Sequence, residues 1–494
     1  MLKSIAKMFE ELHDNNILYC HWKSNEHLEP ALNGETDLDM LFCPDDRSEL
    51  DILLNKCGLK RFRATPLSQY NAIEDYIGFD KDEAKIWHLH LHYRLTLGES
   101  HLKGYTLGRW GDCLLDNRIL HNTGVYISCP EDELVLLLTR IALKLSLHTM
   151  WLKISEDDKR EINWLKQNIK LHEFAIHAEH LVGAKGRDIM VNIISAEAGY
   201  RYTFRTLAKH LRKYLSCFTG NGSLEAWLKR ELRTVHWILG GINHRLHGNS
   251  SHPFSRVSPS GGCVIAFIGS DGAGKSTTIR YIQGELSKKL DVKKVYLGSG
   301  DGSCSLLRKP LKMVAKRVGG KGLGKAVEKE YKTAAEGKDK VSVKAKLYMY
   351  AKFIWAITLA WEKKAKLKEI TKARNNGMVV LLDRYPQCSV YGVNDGPLLH
   401  SYIDSCNICL KSIAQYEYSI YKMFEKNPPD LTIRLIAPIE IAIERKSEMT
   451  QEELQKKLAT VMAMKPSKDI VTIDTAVDKK VSFGKVMECI WGKV

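Results

Sequence analysis

A chain of 494 residues is too long for one ordinary core, and its 44% hydrophobic and 27% charged content belongs to a globular protein, not a disordered or fibrous one. A formal charge of +16 favours anionic partners, among them nucleotides, nucleic acid, phosphorylated sugars and anionic membrane surfaces. The twelve cysteines are scattered, and the one CxxC, Cys406 and Cys409, has no second pair to complete a zinc site.

The N-terminus, MLKSIAKMFEELHDNN, reads as an amphipathic helix with no cleavage site after it. GETDLDMLF follows, from Gly34 to Phe42. In a strand, Asp37 and Asp39 fall on one face while Leu38, Met40 and Leu41 help form the core. Two carboxylates a strand-step apart repel unless a cation sits between them, and Mg²⁺ suits such an oxygen pair. A helix is expected over Asp46 to Lys56, and strands over Ala72 to Gly78 and Ile86 to Tyr93. WHLHLHY in the last strand sets His88, His90 and His92 on one face. Those rings could bind a transition metal or form a solvated face. Residues 129–248 read as wholly helical. HGNSSHPFSRVSPSGG then loses all periodicity, so residues 249–261 read as a linker between residues 1–248 and 262–494.

Beyond the linker, strand-like runs alternate with helical patterns: CVIAFIG, KVYLG, VVLLD, LTIRLI and IVTID. The pattern predicts a parallel sheet with helices on both faces. The lysine-rich stretch from Leu306 to Lys346, with GGKGLGK at Gly319 to Lys325, is either a solvated insertion or a basic flap over a phosphorylated substrate. The longest apolar run, Leu347 to Trp361, contains Lys352 and falls short of the roughly 20 residues of a bilayer span. A buried helix is expected there, and with it a cytoplasmic protein.

The first of these strands runs into GSDGAGKST, residues Gly269, Ser270, Asp271, Gly272, Ala273, Gly274, Lys275, Ser276 and Thr277. Glycines let the backbone wrap a phosphate with its N–H groups inward, and the helix that follows adds partial positive charge. Lys275 then neutralises the β- and γ-phosphates, and Ser276 ligates Mg²⁺. Mg·ATP is the implied ligand. Asp383, ending VVLLD, suits a carboxylate delivered near the metal, and Arg384 could grip a second phosphate through its planar fork.

FIGSDGAGKST, LLDRY and PDLTIRLIAPIEIAIERK, in that order, resemble the thymidylate kinase family of P-loop kinases. The resemblance implies an adenylate-kinase-like sheet, Asp383 at the magnesium site and Arg384 on the acceptor's phosphate. It also implies Asp271 near the acceptor's sugar, with Arg445 and Lys446 leading into a lid. DRYP followed by VNDGP is similar to a divergent branch of that group, which leaves the acceptor open: a phosphorylated nucleotide or a sugar. A homodimer is expected. The D-x-D strand, its neighbouring helices and the later strand resemble the nucleotidyltransferase family of the polymerase β type. There the resemblance implies metal ligation by Asp37 and Asp39, with His90 in the place of a third acid and Lys23 and Ser24 where the family has a Gly-Ser turn. The functional reading is an ATP-dependent phosphotransferase joined to a nucleotidyltransferase-like domain with a helical extension. Two rivals stand beside it: a P-loop ATPase switch acting on the N-terminal module in a nucleic-acid or defence setting, and a kinase for surface polysaccharide or its precursor.

Overall fold

The computed structural model describes residues 1–144, 154–195, 200–246, 250–298, 343–388, 390–391, 395–445 and 450–494. The lysine-rich stretch up to residue 342, Lys446 and most of the VNDGP run's start lie outside the described residues. The chain forms two compact units, Met1–Leu246 with Phe254–Pro259, and His247–Pro253 with Ser260–Val494.

The first unit is built on a mixed sheet. Its strands are β1 (Tyr19–His21), β2 (Leu38–Phe42), β3 (Lys60–Ala64), β4 (Ile73–Asp80), β5 (Lys85–His92), the separate hairpin β6 (Leu95–Leu97) and β7 (Tyr105–Leu107), then β8 (Ile119–Leu120), β9 (Tyr126–Ile127) and β10 (Arg256–Val257). The sheet order is β10-β3-β4-β5-β2-β1-β9-β8. β2 and β5 run parallel with Asp39 opposite His90, whereas β4 and β5 are antiparallel. Side-chain alternation divides the two faces. Leu38, Met40, Trp87, Leu89 and Leu91 join Ile5, Phe9 and Leu50, from the helices Lys3–Asp14 and Arg47–Lys56, in one core. The acids and histidines between them face the other way. The expected helical segment contains the helices Pro130–Lys144, Glu156–Asn168, Leu171–Ser195, Tyr200–Tyr214 and Ser223–Arg245. Within the stretch read as a linker, β10 pairs with β3 through Arg256 opposite Ala64, which places a strand where loss of periodicity suggested none.

The second unit carries β11 (Cys263–Gly269), β12 (Val292–Tyr296), β13 (Val379–Asp383), β14 (Leu431–Ile436) and β15 (Ile470–Asp474). They form an all-parallel sheet in the order β12-β13-β11-β14-β15. β11, β13 and most of β14 are buried, with Val, Ile and Leu prominent among their residues, as a sheet covered on both faces requires. The direction of winding reverses beside β11, and in open α/β sheets such a switch point opens a crevice at the strands' carboxyl ends. The run Leu347–Trp361 lies in the helix Val343–Asn375. Full burial does not hold there. Met349, Phe353 and Ala356 are buried with Leu399 and Ala414, but Tyr350, Ile354 and Trp361 are exposed, because the helix packs through one side. Among the described residues, no helix is long and apolar enough to cross a membrane.

Candidate phosphate-binding site

At the carboxyl end of β11 the chain turns sharply. Gly272 and Gly274 take φ of +81° and +79°, the left-handed region that side chains disfavour, and a Cβ on Gly272 would meet the Ala442 carbonyl oxygen at 2.6 Å. The helix Lys275–Leu286 starts immediately, with Gly274 at its N-cap and no side chain capping it. A helix start without a side-chain cap leaves backbone N–H groups for a phosphate.

The Lys275 ammonium is buried and folds back over its own loop, donating to the carbonyl oxygens of Gly269 at 2.9 Å and Ser270 at 2.7 Å. Burial, and after it the neighbouring Arg384 guanidinium, push its pKa down to about 8. Asp271 accepts from Arg384 Nη2 at 3.1 Å and from Lys457 Nζ. Burial opposes its ionisation, but Lys457 and Arg384 outweigh that and hold the carboxyl at about 2. Asp383 ends β13, buried, with its pKa raised by burial against the pull of Lys275 and Arg384. Arg384 follows in a left-handed conformation, φ 74°, uncommon for a residue with a side chain. Its backbone N–H donates to the Phe267 carbonyl oxygen, and its second nitrogen, Nη1, lies 3.5 Å from Asp395. Arg445, closing the helix Ile439–Arg445, donates to the carbonyl oxygens of Gly272 at 3.3 Å and Thr475 at 3.0 Å. Asp271, Lys275, Ser276, Asp383, Arg384 and Arg445 all line one cavity of about 500 Å³. The loop, the carboxylate and the arginines expected from the sequence therefore converge.

No protein-family model matches the chain. Over 205 residues it is 30% identical to the uncharacterized ATP-binding protein YghR of Escherichia coli K12, covering 40% of this chain and 74% of that protein. The chain belongs to the YghR family. A second relative, the uncharacterized ATP-binding protein YghS of the same strain, is 27% identical over 197 residues, 40% of this chain and 78% of YghS. Among solved structures, a thymidylate kinase from Candida albicans aligns at 18% identity and a TM-score of 0.25, over 47% of this chain and 92% of that one. A deoxyadenosine kinase from M. mycoides with bound dATP aligns at 19% identity and a TM-score of 0.24, over 46% and 98%.

Several groups of the site escape a reading of its motifs. Lys457, on the helix Gln451–Ala463, reaches Asp271 from 186 positions away. Asp395 flanks Arg384, and Thr475, Lys479 and Phe483 join the cavity wall. The apolar strand ends hint at Thr475, which follows IVTID, but no local pattern points to Lys457.

In the first unit the expected metal residues do not all meet. Asp39 Oδ1 lies 2.8 Å from His90 Nδ1, 3.6 Å from His92 Nε2 and 2.9 Å from Lys23 Nζ. Asp37 is drawn away: its Oδ1 lies 2.9 Å from Nδ1 of the buried His88, whose Nε2 faces Asp75 Oδ1 at 2.8 Å. Asp75 in turn accepts from Arg256 of β10 at 2.8 Å. Asp37 and Asp39 thus face different histidines of β5, Asp37 against His88 and Asp39 against His90.

Proposed function

We propose that the second unit binds Mg·ATP at Gly269–Thr277 and transfers its γ-phosphoryl group to an acceptor that already carries a phosphate, a nucleotide or a phosphorylated sugar. Arg384 supports this reading: its guanidinium shares the cavity with Lys275 and Asp383, and ATP hydrolysis alone does not require it. Its left-handed backbone is the kind of local strain that persists where a side chain must be aimed.

In this reading Lys275 exchanges its loop carbonyls for the β- and γ-phosphate oxygens. The Ser276 hydroxyl and the Asp383 carboxylate are hard oxygen donors at the cavity wall, and they fit Mg²⁺. Held there, the ion would neutralise part of the charge on the phosphate oxygens. An oxygen of the acceptor's phosphate bonds to the γ-phosphorus, the bond to the bridging oxygen breaks, and ADP leaves. The carboxylates favour a phosphorylated acceptor. A hydroxyl acceptor needs a base, yet Asp271, at about 2 and bound to two cations, takes up a proton poorly. Asp383 is assigned to the metal. A phosphate monoester, with a second pKa of about 6, is largely ionised at neutral pH and needs no base.

The test is ADP release by the full chain with Mg·ATP against a panel of nucleoside monophosphates, sugar phosphates and unphosphorylated sugars. Turnover that depends on a phosphorylated member supports the proposal. Turnover indifferent to all of them, but stimulated by nucleic acid, would replace it with the ATPase switch.

A further inference from the structure

We propose that Asp39, His90 and His92 of the first unit form a site for a single divalent transition-metal ion of the Zn²⁺ type. The site is independent of the phosphotransfer reading. Its three donor atoms converge: His90 Nδ1 and Asp39 Oδ1 are 2.8 Å apart, His92 Nε2 and His90 Nδ1 3.3 Å, and His92 Nε2 and Asp39 Oδ1 3.6 Å. A tetrahedral ion with bonds of about 2.0–2.1 Å holds its ligand atoms roughly 3.3–3.4 Å apart. The three separations bracket that value, so small side-chain adjustments admit an ion.

The arrangement is built by the sheet. β2 and β5 are parallel neighbours with Asp39 opposite His90, and His92 stands one strand repeat further along the same face. Asp39 and His92 are buried, which fixes both against rearrangement. Each neutral imidazole carries its own proton, so without an ion both rings can turn an N–H toward Asp39, and a metal would take the place of those protons at the same three atoms. A cation is in fact present: the Lys23 ammonium sits 2.9 Å from Asp39 Oδ1. Lys23 is partly exposed and can leave when a metal enters.

Donor chemistry selects the ion. Two imidazoles and one carboxylate favour Zn²⁺ and its transition-series neighbours, whereas Mg²⁺ and Ca²⁺ prefer oxygen throughout. Asp37, which would have made the site an oxygen pair, is engaged by His88. Three protein ligands leave a position open to water or a substrate oxygen, the pattern of a catalytic ion and not of a closed structural one.

Co²⁺ titration of the full chain, followed by visible absorption, tests the site. The chain also places Cys129, Asp132 and His177 together, so the spectrum must tell the two clusters apart. The expected result is one Co²⁺ showing d–d bands without thiolate-to-cobalt charge transfer, lost in His90→Ala and retained in Cys129→Ser. Lys23→Ala should bind Co²⁺ about tenfold more tightly, since a charge-assisted competitor for Asp39 is removed. Circular dichroism checks folding. If His90→Ala fails to fold, Lys23→Ala decides. Unchanged affinity in Lys23→Ala, or a wild-type spectrum dominated by thiolate charge transfer, overturns the proposal.

Discussion

Nucleotide affinity should fall as pH rises through about 8, and Lys275 is the reason. Its ammonium is buried against the carbonyl oxygens of Gly269 and Ser270, and burial with Arg384 nearby lowers its pKa to about 8. The phosphates of a bound nucleotide favour the charged form, so the complex holds the proton that the empty site begins to lose. The charged fraction of the empty site is about 90% at pH 7, about half at pH 8 and about 9% at pH 9. Apparent affinity scales with that fraction, so the dissociation constant should rise about tenfold from pH 7 to pH 9. Calorimetric titration of a non-hydrolysable ATP analogue with Mg²⁺ at the three pH values measures it. Lys275→Arg keeps its charge across the range, so it should bind with no such slope, even if more weakly. Lys275→Ala should abolish phosphoryl transfer. A flat wild-type profile, or an equal slope in Lys275→Arg, would refute the reasoning.

Asp271→Asn should destabilise the protein by about 2 kcal/mol at neutral pH, because the carboxyl is held near 2 by Lys457 and Arg384. The folded pKa is depressed, so that stability is present above about pH 4 and disappears as pH falls towards 2; urea denaturation of wild type and variant across that window should show the gap closing. Gly272→Ala places a side chain at φ +81° and 2.6 Å from the Ala442 carbonyl oxygen, which should cost roughly 1–3 kcal/mol in thermal denaturation and end nucleotide binding. Arg384→Ala should raise the KM for the phosphorylated acceptor at least about tenfold while ATP affinity changes little, since a lost charge-assisted pair is worth roughly 1.5–3 kcal/mol. Equal losses for ATP and acceptor would take Arg384 off the acceptor's phosphate.

The phosphate loop is legible in the sequence because everything it needs is local. Gly269 to Ser276 are contiguous, a buried strand precedes them and a helix follows. Asp383 and Arg384 are legible for the same reason, as the end of an apolar strand. The side chains that set the charge state of these residues are not local. Lys457 meets Asp271 through the packing of a distant helix, and the left-handed turn at Arg384 has no glycine to announce it. In the first unit, alternation places His88, His90 and His92 on one face but cannot say which acid each meets. The register of β2 against β5 decides that, setting Asp39 opposite His90 and leaving Asp37 to His88. β10 is hidden for a related reason: two residues are too few to show a period, and a partner strand makes them a strand.

The resting phosphate site is neutralised from within. Lys275 rests on loop carbonyls, Arg445 on the carbonyls of Gly272 and Thr475, and Arg384 between Asp271 and Asp395. A ligand must replace these acceptors, so only one that brings more negative charge gains by the exchange. A neutral molecule cannot; a triphosphate and a phosphorylated acceptor together can. The doubled pairing of Asp271 makes the exchange affordable at its most sensitive point. Under the proposed function Arg384 would turn to an acceptor phosphate; Asp271 would then keep Lys457, and no half-buried carboxylate would be stranded without a counter-charge. Lys457 thereby frees Arg384 to move, although Lys457 itself need never touch the substrate.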